Sequence, residues 1–264
     1  MIVDSHAHIS PHWYEPVETL VDQMNGHGVD GAVLTQMIGQ TDNRYQQDCV
    51  KRFPGRLWSV AWVDVEAPDV AMTIENLSRE GVSGIRLRPS ASLANGRLPE
   101  AWRAVQATGL PVSCVGSAET FNAPGFAELI ARLTGTTIVL EHLGGTSTPV
   151  TSDEQMALRR DVFKLAAFPN VMLKVPGLGE LMPRNPKTWH SGRPFGDSTS
   201  PLLHEAVTAF GADRLMWGSD FPVVSSREGY GNALKLARIA LNGLPNHDLD
   251  AIFGGNAKRV FAKT

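Results

Sequence analysis

The stretch DRLMWGS, residues 213–219, is the eighth of a set of short apolar runs in this chain, and whether it is a strand decides the architecture. Seven similar runs precede it: MIVDSH (1–6), GVDGAVLT (28–35), RLWSVAWV (56–63), VSGIRLR (82–88), LPVSCV (110–115), TIVLEH (137–142) and NVMLKV (170–175). Each is four to eight residues long, rich in β-branched side chains, and bounded by turn residues, which is the signature of a buried parallel strand. Stretches of helical period separate them, at about 15–26, 42–53, 69–80, 99–108, 124–133, 153–167, 201–210 and 228–241. Strand and helix alternating eight times predicts an α/β chain closed into a (β/α)8 TIM barrel, since an open doubly wound sheet usually stops at fewer strands.

The length of 264 residues suits one such barrel, so residues 1–264 are expected to form a single domain. Short helices at 246–252 and 255–262 are expected to close its bottom or side. The 24 basic and 27 acidic residues are scattered and leave a net charge of -3, which supplies no footprint for nucleic acid or for an anionic membrane surface. No apolar run approaches the roughly 20 residues needed to span a bilayer. Two cysteines in no metal-like spacing and a strand-like N-terminus point to the cytoplasm. The expected partner is a small anionic molecule, and a homo-oligomer is compatible with the sequence.

In a parallel barrel all eight strand-to-helix loops gather at one mouth, so reactive groups are sought at the carboxyl ends of the strands. His6 and His8 end the first, and their spacing of two puts both imidazoles on one face of an extended chain. Asp220 closes the eighth strand in WGSDFP, and in a closed barrel the eighth strand lies beside the first. His142 ends the sixth in VLEHLGG, and Arg86 and Arg88 end the fourth in GIRLRP. Strand alternation turns Glu141 away from His142 and leaves it out of the site.

Two imidazoles and a carboxylate, His6, His8 and Asp220, can hold one divalent metal, zinc first, with a coordination position left for water whose pKa the metal lowers to about 7. Without a metal, the imidazoles can polarise a carbonyl while Asp220 takes a proton from the attacking water. Both routes end in hydrolysis, with Asp220 and His142 as catalytic residues, and both stay open. Arg86, Arg88 and His12 are the substrate-binding candidates: a guanidinium suits a carboxylate, although one of the two arginines could instead pair with a barrel carboxylate. Trp13 is placed beside His12 as a further pocket residue, and Lys174 could add to the positive field. The irregular stretch 176–199, which contains Glu180, Trp189 and His190, reads as a lid or pocket wall.

These motifs resemble the amidohydrolase superfamily, in the amidohydrolase-related branch that includes pyrone-dicarboxylate lactonase and aminocarboxymuconate-semialdehyde decarboxylase. HAH at 6–8 matches the first-strand H-x-H, LEHLGG the sixth-strand histidine with its glycines, and WGSDFP the eighth-strand aspartate. IFGGNAKRVF at 252–261 resembles the C-terminal signature, so the resemblance spans residues 2–262. One departure stands out. Metal-binding relatives carry a histidine at the end of the fifth strand, where this chain has Cys114, Val115 and Gly116. The resemblance implies a hydrolase of a small anionic substrate, a lactone first. The runner-up is a metal-dependent decarboxylase of an aromatic or muconate-type acid, and a third reading is a binding barrel without catalysis.

Overall fold

A computed structural model describes residues 1–12, 14–89 and 97–262; Trp13 and the side chain of Trp189 lie outside what it describes. Among these residues eight parallel strands run in chain order: β1 (Val3–Ala7), β2 (Gly31–Thr35), β3 (Leu57–Trp62), β4 (Gly84–Leu87), β5 (Val112–Cys114), β6 (Ile138–Leu140), β7 (Val171–Val175) and β8 (Leu215–Trp217). The helices between them are α1 (Val17–His27), α2 (Arg44–Arg52), α3 (Val70–Arg79), α4 (Glu100–Thr108), α5 (Ala118–Phe121), α6 (Pro124–Arg132), α7 (Asp153–Val162), α8 (Pro201–Phe210) and α9 (Tyr230–Ala240). This is the (β/α)8 barrel.

The expected elements are present, with two differences. A short helix, α5, precedes α6; Ser117 and Thr120 cap it reciprocally, a polar signal too brief to stand out as a helical period. The segment expected as one helix over 153–167 is α7 followed by a 3-10 stretch, Phe163–Ala167. At the C-terminus α10 (Asn246–Asp250) and α11 (Asn256–Phe261) flank a π-type segment, Ala251–Gly255.

Apolar side chains divide between two cores. The larger lies between strands and helices, where spacing along a helix sets what is buried: Val17, Leu20 and Met24 of α1 all face the sheet. The smaller fills the bottom of the barrel with Val3, Val33, Val60, Val139, Met172 and Met216, and α11 plugs it with Val260 and Phe261. Above this apolar layer the barrel turns polar, with Arg86, Ser113, Glu141 and Lys174 all buried.

The seam between β1 and β8 is closed differently from the other neighbours. Ladders join β1 through β8 in order, whereas β1 meets the segment that follows β8 through an isolated bridge, Ala7 to Phe221. The backbone bonds His8 N to Phe221 O (2.7 Å) and Asp220 N to His6 O (2.8 Å) tie the top of the seam. Below them Asp4 accepts from the N–H and hydroxyl of Ser219. Gly218 lets the two segments approach: a Cβ there would sit 2.7 Å from that of His6. The first and last strands thereby deliver His6, His8 and Asp220 to one spot.

Candidate active site

His6 Nε2 and His8 Nε2 lie 3.1 Å apart, and Asp220 Oδ1 is 3.7 Å from the first and 3.3 Å from the second. All three side chains are buried at the carboxyl end of the barrel. His8 Nδ1 is 2.6 Å from the Thr35 carbonyl, which can only accept, so Nδ1 carries the proton and Nε2 presents its lone pair inward. His6 Nδ1 lies 2.8 Å from Lys174 Nζ, which also donates to Ser113 Oγ at 2.8 Å. Ser113 Oγ in turn donates to Glu141 at 2.6 Å. Donation from Lys174 to His6, from His6 to His8 and from His8 to Thr35 forms one consistent chain.

The electrostatics follow from burial and from these neighbours. Burial, reinforced by the charge of Lys174, holds His6 well below the usual histidine range. Burial brings Lys174 down to about 8, with Glu141 opposing and Arg86 adding to the shift. For Asp220 burial favours the neutral acid, but the charges of His142 and Arg227 outweigh it and keep the carboxylate ionised. His142 is raised: burial works against its charged form, and Glu180, followed by Asp220 and Glu141, outweighs burial.

His142 comes from an unusual backbone. β6 ends at Leu140, and His142 and Leu143 both take left-handed conformations, with φ of 51° and 53°. The Arg159 guanidinium holds this turn by donating to the carbonyls of His142, Leu143 and Thr146. The left-handed turn breaks alternation at His142 and brings its ring into the barrel mouth, whereas Glu141, two residues after the inward-facing Val139, points inward by alternation itself and not away as expected. Its carboxylate takes a bidentate pair from Arg86 (3.0 and 2.6 Å) and lies 3.9 Å from His142 Nε2. Arg86 and Lys174 outweigh the effect of burial and bring Glu141 down to about 2.

A cavity of about 720 Å³ opens over these groups, lined by His8, His142 and Asp220 and walled by Tyr14, Met37 and Ser117 among others. The expected substrate-binding residues fare differently. Arg88 is exposed on the cavity rim, its guanidinium carbon 6.0 Å from the centre of the Trp62 ring. Arg86 also borders the cavity, but its fork is engaged by Glu141 and by the Gln36 carbonyl at 2.8 Å, which makes it a partner of the barrel carboxylate. His12 is exposed and outside the lining; from that loop Tyr14 reaches the cavity. At the end of β5, Val115 and Gly116 form wall and Cys114 is fully buried. A larger groove, about 830 Å³, lies between α1 and α9 and contains none of the converging groups.

Among the described residues, none of 176–199 lines the cavity. The stretch contributes from behind: Glu180, fully buried in a 3-10 turn (Leu178–Glu180), accepts from His142 Nδ1 at 2.9 Å. Arg227, which no strand or motif marks in the sequence, donates to Asp220 Oδ2 and Glu180 Oε1, each at 3.1 Å.

Donor atoms within 4.8 Å of one another form three overlapping triplets among the described residues: His6, His8, Asp220; His6, Glu141, His142; and His142, Glu180, Asp220. The first fits a divalent cation. It offers two imidazole nitrogens and a carboxylate oxygen, and His8 is backed by a carbonyl as a metal-ligating histidine requires. Lys174 can accept His6 Nδ1–H once it is a neutral amine.

The family profile described as amidohydrolase matches residues 3–263. L-fucono-1,5-lactonase of Burkholderia ambifaria is 29% identical over 243 residues, covering 87% of this chain and 79% of that protein. 4-Sulfomuconolactone hydrolase of Rhizobium radiobacter is 26% identical, over 78% of this chain and 66% of its own length. An amidohydrolase from Burkholderia multivorans crystallised with bound zinc superposes over the full length of both chains with a TM-score of 0.80 at 22% identity, a likeness of fold.

Proposed function

The chain belongs to the amidohydrolase family, and from that premise we propose that it is a hydrolase that opens a small anionic lactone. The observation that carries the reading is the convergence of His8, Asp220 and His142 on one cavity with a cationic rim at Arg88, His6 standing 3.1 Å behind His8. The lactonase and lactone-hydrolase names of two relatives support the same substrate class.

Arg88 receives the substrate carboxylate and orients the ring. Asp220 Oδ1, the oxygen that faces the histidines, takes a proton from a water as the water oxygen bonds to the lactone carbonyl carbon. His142, kept inclined to its charged form by Glu180, donates a hydrogen bond from Nε2 to the carbonyl oxygen as negative charge grows there. The ring C–O bond then breaks, and the proton held by Asp220 passes to the departing alkoxide, giving a hydroxy acid. His6, His8 and Asp220 would hold one divalent metal, zinc first, which when bound supplies Lewis acidity and a more acidic water.

The test is proton release from a panel of lactones by the wild type and by Asp220→Asn. Loss of a general base is expected to lower kcat by about 10²–10⁴-fold. Undiminished turnover in the variant overturns the mechanism. CO2 release from aromatic or muconate-type acids, without lactone opening, replaces it with a decarboxylase.

A further inference from the structure

Arg227 is the one guanidinium among the described residues that touches both the carboxylate facing the first-strand histidines and the carboxylate behind His142. Its Nη1 donates to Asp220 Oδ2 at 3.1 Å and to the Ser147 carbonyl at 3.2 Å; its Nη2 donates to Glu180 Oε1 at 3.1 Å. Each carboxylate therefore gives one oxygen to Arg227 and keeps the other for a histidine. Asp220 Oδ1 stands 3.3 Å from His8, and Glu180 Oε2 stands 2.9 Å from His142. Behind the fork, Nε lies 3.7 Å from Glu228 Oε2, and the side chain is 11% exposed. Asp220 and Arg227 belong to the loop after β8, and Glu180 to the loop after β7. Gly179 N–H on Glu228 and Arg184 on the carbonyls of Ser226 and Arg227 also join these two loops, but the Arg227 fork is the contact that reaches both carboxylates.

We propose that Arg227 is a positioning residue that sets the separation and orientation of Asp220 and His142, and so the geometry between the group that activates water and the group that polarises the carbonyl. The inference rests on the proposed roles of those two residues. A planar fork can span two carboxylates at once, and a lysine ammonium, a point charge on a flexible stem, cannot reproduce both contacts. Misplacement of a reacting pair by about 1 Å can cost about a hundredfold in rate. With its donors turned to Asp220, Glu180 and Ser147, Arg227 acts on the reaction through them, so its loss belongs in kcat and leaves KM in place.

The experiment compares Arg227→Ala, Arg227→Lys and Asp220→Asn on one lactone, with melting temperatures measured alongside. Arg227→Ala is expected to lose about a hundredfold in kcat at nearly constant KM, and guanidinium chloride at tens of millimolar is expected to restore at least a tenth of the loss where matched sodium chloride does not. Arg227→Lys is expected to fold like the wild type and remain more than about tenfold slow, which keeps the proposal testable if the alanine variant does not fold. A kcat near wild type in Arg227→Lys overturns the proposal. So does a loss in the alanine variant that appears in KM alone or does not respond to guanidinium. Undiminished turnover in Asp220→Asn sinks the underlying reading of the base, whereas an inactive Asp220→Asn beside a fully active Arg227 variant sinks this inference alone.

Discussion

Asp4 receives three hydrogen bonds across and along the barrel seam: Ser219 N–H at 2.9 Å, Ser219 O–H at 2.6 Å and His6 N–H at 3.0 Å. The β1–β8 boundary has few backbone bonds of its own, so this carboxylate stands in for missing rungs. Asp4 lies two residues before His6 on β1 and holds Ser219, the residue before Asp220.

Removing the carboxylate orphans three buried donors. Asp4→Ala is therefore expected to lose about 3 kcal/mol of stability, and Ser219→Ala about 1–2 kcal/mol, because the second keeps the backbone N–H donor. Urea titration reads both. Equal losses in the two variants would assign the seam to packing instead.

Glu228 supplies a pH dependence of stability. Burial raises its carboxyl to about 7, against the pull of Arg227 and of the Gly179 N–H. The folded chain binds that proton more tightly than the unfolded chain, whose carboxyl titrates near 4.5. Stability is thus expected to be greatest below the unfolded value and to fall, by on the order of 3 kcal/mol, as pH rises to about 7. Melting curves across that window should flatten in Glu228→Gln, which keeps an oxygen for Gly179. An unchanged slope would remove Glu228 as its source.

Arg88 should govern binding of the acid group. Loss of a charge-assisted hydrogen bond, about 1.5–3 kcal/mol, is expected to raise KM for anionic lactones about ten- to hundredfold in Arg88→Ala, while an uncharged lactone of similar size is little affected. Steady-state kinetics on the two substrates decide it: a parallel change in both would point to a general disturbance of the rim.

The histidine pair should keep its arrangement without a cation. Lys174, His6, His8 and Thr35 satisfy one another in sequence, so protein stripped with a chelator is expected to retain cooperative unfolding, unlike domains that a metal nucleates. Circular dichroism through the melt, with elemental analysis before and after, measures it. Collapse of the fold on stripping would contradict the chain of donors described above.

The barrel and the meeting of His6 with Asp220 were legible because both follow from periodicity and closure. Strand count forces the ends together, and i, i+2 spacing aligns the imidazoles. Legibility stopped where backbone conformation departs from the regular. Counting alternation back from His142 gives the wrong side for Glu141, which follows the inward face of Val139, because the left-handed turn at residues 142 and 143 takes His142 itself out of the strand's alternation, and a single sequence marks such positions weakly when they are not glycine. The motif-bearing neighbours of Asp220 gave no sign of Arg227, seven residues on, since loops place residues by tertiary contact. His12 and Tyr14 illustrate the same limit: two residues in one irregular segment, of which the second reaches the cavity.

The floor of the cavity is electrically balanced. Arg86 and Lys174 meet Glu141, and Arg227 meets Asp220 and Glu180, so three cations stand against three carboxylates. Charges paired this closely largely cancel at a distance, and the charge of the rim does the attracting. An incoming acid is therefore expected to arrive charge-outward, docking its carboxylate at the lip and leaving its scissile bond to descend onto a surface that discriminates by direction of hydrogen bonds instead of by sign.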